Sequence, residues 1–201
     1  MGMRSQIYVA VKDIDVRDEH GDKLHGDYLV ARYYQWNYGS RMVSRAVGLV
    51  EWLETTTAEY IEYELNKIPR IADTNFDLRD VVISTDCIKE KEKYGVDPFY
   101  GQDNSDGKLF ITFEKDGTVK YAFTDPDIEK VMTAAQYMAW GEYETEEKDG
   151  SNYIRKNREF LNKHQLMTLD EVKEFITADY INVPKEAERE KDKKKSDVER
   201  D

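Results

Sequence analysis

At 201 residues the chain has room for one domain, or one domain with a small appendage. Charged residues make up 36% of it and the formal net charge is -12, a balance that repels phosphate and argues against direct binding of nucleic acid or an anionic membrane. Apolar residues at 39%, with 14 Tyr, 7 Phe and 3 Trp, suffice for a core, yet no run approaches the ~18 apolar residues of a membrane span.

From the N-terminus, "QIYVAVKDIDV" (Gln6–Val16) sets Ile7, Val9 and Val11 on one face at period two, which predicts a strand. The turn-rich "RDEHGDKLHGD" leads to a second strand, Tyr28–Trp36, so an antiparallel hairpin with a long loop is expected. "YGS" then opens a helix with Ser40 as its cap and Met42, Ala46, Leu49 and Leu53 at helical spacing. Thr56 and Glu59 match a capping box, a restart after a kink, and Pro69 is read as the end.

Leu78–Ile88 reads as a strand, and the Gly-, Pro- and Asp-rich stretch after it as a loop. "KLFITFEKDGTVKYAFTD" predicts two strands about a Lys115–Asp116–Gly117 turn. Asp125 followed by Pro126 predicts the cap of a second long helix, with Ile128, Val131, Met132, Ala135 and Met138 as its stripe. "YIRKNREFLNKH" is a short helix, and Thr168 with Glu171 caps another. After Pro184 comes "KEAEREKDKKKSDVERD", 14 charged residues in 17, a composition that cannot offset chain entropy by burial.

The expected architecture is therefore α+β: an antiparallel sheet of about five strands in ββαβββα order, helices packed on one face, then C-terminal helices. Residues 1–150 form the α+β domain, 151–183 a helical extension packed on it, and 184–201 a disordered tail. The single Cys87 excludes an internal disulfide and fits a reducing compartment. With no apolar leader in "MGMRSQIYVAVKD", a cytoplasmic location is expected.

"RYYQWNYGSRMVSR" (Arg32–Arg45) concentrates rings and arginines in an acidic chain. Arg32, Tyr34 and Trp36 share one strand face, and Arg41 and Arg45 are neighbours on one helix side. With Ser40 as cap, Arg41 stands in a first turn whose dipole favours anions. An anion or nucleotide pocket built from Arg32, Tyr34, Trp36, Tyr38, Arg41 and Arg45 is one reading. Aromatic core with arginines on internal carboxylates is the other.

His20 and His25 sit five apart in a turn, a spacing that matches no standard zinc site. "GQDNSDGKLFITF" fails as a calcium loop, because Gln102 and Phe113 fall where Asp and Glu are needed. None of the Walker A, GxGxxG, GxSxG or HExxH motifs occurs, so no catalytic residue, metal or cofactor is assigned. Asp13 and Asp15 on the first strand, and Glu142, Glu144, Glu146 and Glu147, form acidic clusters with two readings: a docking surface for a basic protein partner, or charge that keeps the chain dispersed.

"RSQIYV" through "ARYYQWNYGSRMVSRA" resembles uncharacterised small proteins of phages, prophages and mobile elements of Gram-positive bacteria, over the first ~50 residues. The resemblance implies a setting and no activity. Within it the leading expectation is a non-catalytic, inhibitor- or immunity-like binder of a basic protein. A nucleotide- or phosphate-ligand protein and an assembly component are the alternatives.

Overall fold

The computed structural model describes residues 4–18, 20–73, 84–102, 106–143 and 152–184. Strands β1 (Arg4–Arg17) and β2 (Lys23–Gln35) form the expected antiparallel hairpin. Pairing continues to Arg17↔Lys23, so the predicted long loop shrinks to a short turn. Helix α1 (Gly39–Thr55) follows, then a 3-10 turn (Ala58–Tyr60), α2 (Ile61–Glu64) and α3 (Lys67–Asp73). Next come β3 (Ser84–Asp86), α4 (Cys87–Tyr94), β4 (Lys108–Phe113), β5 (Val119–Thr124) and β6 (Val131–Met132). The chain closes with α5 (Ala134–Trp140), α6 (Asn152–Leu161), β7 (Gln165–Leu166) and α7 (Leu169–Thr177).

The described strands make one seven-stranded sheet in the order β3-β2-β1-β4-β5-β6, with β7 also on β5. It is α+β as expected, but mixed where an antiparallel sheet of about five strands was expected. β1 pairs parallel with β4, and β5 with β7. Local periodicity marks each strand but carries nothing about which neighbour lies across a long crossover, which is why the β1–β4 pairing is invisible in sequence.

Helices cover both faces of the sheet, where one face was expected. Ile7, Val9 and Val11 point to a core shared with α1, α3, α5 and α6. Tyr8 and Ala10, on the opposite face of the same strand, pack with Cys87 and Ile88 of α4 and Val172 and Phe175 of α7. Each face buries apolar surface, at roughly 25 cal/mol per Å².

Several element boundaries differ from those expected. α1 begins at Gly39 behind Tyr38, which makes no side-chain cap bond, so Ser40 is inside the helix. Thr57, not Thr56, precedes the 3-10 turn. Pro69 sits in the first turn of α3, where its missing N–H costs nothing. Of the strand expected over Leu78–Ile88, residues 78–83 lie outside the described residues, Ser84–Asp86 is strand, and Cys87 and Ile88 are helical because Asp86 accepts from the Ile88 and Lys89 amides and starts α4 at once. Asp125 does gather backbone amides, but those of Glu129 and Lys130, closing a turn in which Ile128 has φ 59°. The helix starts only at Ala134, under a Thr133–Gln136 capping box. The Thr168–Glu171 box and the β4–β5 hairpin appear as read.

Lys108 opens β4 as a buried lysine. Its ammonium donates to the Pro126 carbonyl at 2.6 Å and lies 5.0 Å from the Tyr100 ring centre. Burial pushes its pKa down to about 8, against the partial compensation of Asp127, Asp125 and Asp97. The unfolded chain therefore holds a proton between about 8 and the ordinary lysine value that the folded chain has lost, so this group's contribution favours folding as pH rises through that window and penalises it below. Lys108→Met is expected to raise Tm at pH 7, with the gain shrinking by pH 10, as read by paired melts against the wild type.

Candidate functional site

β2 delivers Arg32 and Tyr34 to the end of α3, and both land on one carboxylate. Asp73 accepts from the Tyr34 hydroxyl at 2.7 Å and from Arg32 Nη2 at 2.9 Å. Arg32 Nη2 also donates to Ser84 Oγ at 2.6 Å. Burial opposes the charge on Arg32, but Asp73, Tyr34 and Asp86 outweigh it and the net shift is upward. Burial, reinforced by Asp73, raises the Tyr34 phenol well above its ordinary value.

Arg45 is 1% exposed. Its Nε donates to the Ala72 carbonyl at 2.7 Å and its Nη1 to Asn37 Oδ1 at 2.5 Å, and the guanidinium carbon lies 5.3 Å from the Tyr34 ring centre. Burial lowers its pKa. Asn37 is buried too and donates to Ser5 Oγ at 2.7 Å, joining α1 to the start of β1.

Trp36 and Arg41 take the opposite course. Trp36 holds the left-handed backbone conformation, φ 63°, with its side chain 45% exposed. Arg41 Nη1 reaches the Trp36 carbonyl at 3.3 Å, and its guanidinium carbon lies 5.8 Å from the Tyr38 ring centre. Tyr38 in turn sits 5.8 Å from Tyr143, the residue after Glu142, which is itself left-handed at φ 57°. The six residues of the Arg32–Arg45 reading thus separate into an internal lock (Arg32, Tyr34, Arg45) and an outer patch (Trp36, Tyr38, Arg41). The cavity that Arg32 lines on the outer edge of β2 is lined by neither Arg41 nor Arg45.

The acidic residues divide similarly. Asp13, at φ 53° in the β1 bulge, accepts from Lys115 at 2.5 Å and faces His25 Nε2 at 2.8 Å, while Asp15 faces His25 Nδ1 at 2.9 Å. The Lys115 hydrogen bond holds the Asp13 carboxyl below its usual range. Asp13 is thus paired with a lysine within the chain, and both acids lie against the His25 ring. Glu144, Glu146 and Glu147 lie outside the described residues. Among the described residues no group of three or more His, Cys, Asp or Glu could hold a metal ion, and no helix is long and apolar enough to cross a membrane. Cys87 is buried, and burial pushes its thiol up to about 12.

Sequence reasoning missed Asp73, Asn37, Ser84 and Asp86. Asp73 was hidden by reading Pro69 as a helix end, and Asp86 by reading a strand through it. The Asp86-x-Ile88 spacing before a charged run was the available cap signal. No protein-family model matches the chain, and neither a curated protein nor a solved structure does.

Arg45→Ala is expected to cost about 3 kcal/mol, since it opens a void and strips the Ala72 carbonyl and Asn37 of their partner. Arg41→Ala is expected to cost less than about 1 kcal/mol, as usual for a surface residue. Urea unfolding of both variants measures the contrast.

Proposed function

We propose that the chain is a non-catalytic binding protein that docks a basic protein partner through the patch of Trp36, Tyr38 and Arg41. The conformation of Trp36 carries this reading. Holding a bulky residue in the left-handed region costs roughly 1–2 kcal/mol, and the bend that follows β2 bears that cost with an indole half in water. Local strain of this kind collects at functional positions. Trp, Tyr and Arg are also the residue types that dominate binding hot spots.

The net charge of -12 supports a basic partner by steering encounter and selecting sign. Glu142 stands beside Tyr143 at the margin of the patch, and the sequence continues into Glu144, Glu146 and Glu147. The inward-turned Arg32 and Arg45 remove two positive charges from the surface such a partner would meet. A stoichiometric binder also suits the phage or mobile-element setting that the N-terminal resemblance implies.

Trp36→Gly separates docking from folding, because glycine accepts positive φ without strain. The variant is expected to melt at or above the wild-type temperature while losing a partner that wild-type protein captures at low salt and releases at high salt. Capture indifferent to Trp36, or no salt-sensitive partner at all, overturns the proposal.

A further inference from the structure

A cavity of about 460 Å³ opens on the outer edge of β2, where the helix layers part: Leu65 and Pro69 line one side, Ile88 and Lys89 the other. Asn182 bounds it, its side-chain amide accepting from Leu29 N at 2.9 Å and donating to Leu29 O at 2.8 Å, as a neighbouring strand would. Arg32 and Asp86 lie opposite one another in the β2–β3 pair and both reach the cavity wall. Arg32 commits Nη2 to Asp73 and Ser84, and Asp86 commits Oδ1 to the Ile88 and Lys89 amides.

Arg32 Nη1 and Asp86 Oδ2 form an ion pair at 3.9 Å, longer than a hydrogen bond. No hydrogen bond among the described residues occupies either atom. The wall thus presents a donor and an acceptor side by side, each held in place by bonds made through its other atoms. Preorganisation of this kind lowers the cost of binding. The complementary ligand carries an acceptor and a donor next to each other on one planar edge, as nucleobases do.

Two further features narrow the class. Tyr28 lines the same cavity and brings an aromatic side chain to its wall. Arg17 and Lys89 supply cations in the lining, beside Glu62 and Glu92. We propose that this cavity binds a mononucleotide, with the base edge bridging Arg32 Nη1 and Asp86 Oδ2, the base beside Tyr28, and the phosphate toward Lys89. This site is separate from the Trp36 patch and does not depend on it.

Calorimetric titration of the full chain with the four ribonucleoside monophosphates tests the assignment, with matching nucleosides and a primary amide such as asparagine as further arms. At least one monophosphate is expected to bind saturably in the millimolar range or tighter, and more tightly than its nucleoside. Asp86→Asn keeps an oxygen to cap α4 but places an amide donor beside Arg32, and should weaken binding about tenfold, the scale of one hydrogen bond. Tyr28→Leu should weaken it as well, whereas Trp36→Gly should bind like wild type. Circular dichroism melts of the variants establish that each is folded. No saturable monophosphate binding, equal binding of nucleoside and monophosphate, binding of the amide alone, or folded Asp86→Asn with unchanged affinity each overturns the proposal.

Discussion

Three side chains converge on the last two residues of α3. Arg45 donates to the carbonyl of Ala72, while Tyr34 and Arg32 donate to the carboxylate of Asp73. This contact binds α3 to β2 and to α1 at once. It also decides what is left for the surface. A guanidinium as buried as that of Arg45 is tolerable only when its donors are met, and carbonyl oxygens meet them with little added charge. With two arginines turned inward, the positive cluster apparent in sequence is mostly internal wiring. Trp36 stays exposed with Tyr38 and Arg41 half-buried beside it, and Arg32 keeps one amino group for the cavity.

The second constraint is the sheet's two apolar faces. In β1 every residue from Ser5 to Val11 is buried, and β4 is buried along its whole length. A strand buried on both sides needs a layer on each, so the amphipathic helices divide between the faces. Placing β4 beside β1 makes β1 central and lets both strands share both cores. It also leaves β2 near an edge, flanked by β3 over only three residues. The rest of that edge is closed by substitutes: the Tyr180 bridge to Asp27, the amide of Asn182, and the cavity between Asn182 and β3.

The parts of this arrangement that were legible in sequence are those fixed by short-range rules. Alternation located β1, β2, β4 and β5, the Asp116–Gly117 pair located their hairpin turn, and Thr168–Glu171 located α7. The failures occurred where a local rule had two outcomes. Pro69 suits either a helix end or a first turn, and the neighbours that favour the second are Ile68 and Ala72 in the core. Asp125 collects amides in either a cap or a closed turn, and Ile128, buried with a left-handed backbone, selects the turn. For the functional residues the limit was sharper. Spacing predicted that Arg32, Tyr34 and Trp36 share a strand face, but β2 ends at Gln35 and Trp36 turns out of it, and the partner that draws Arg32 and Tyr34 inward is Asp73, about forty residues on, where no periodicity reaches.

β2 carries the cavity wall and leads directly into the Trp36 patch, and the lock between them governs how they relate. Trp36 lies four residues beyond Arg32, about 13 Å along an extended chain. Between them Tyr34 is fully buried and tied to Asp73. Coupling between two sites requires an element with two discrete arrangements that each ligand biases. Here the intervening residue is held by a buried hydrogen bond and by the Arg45 guanidinium over its ring. A ligand at Arg32 and a partner at Trp36 should therefore act independently, because the interaction that organises the fold is also what insulates one end of β2 from the other.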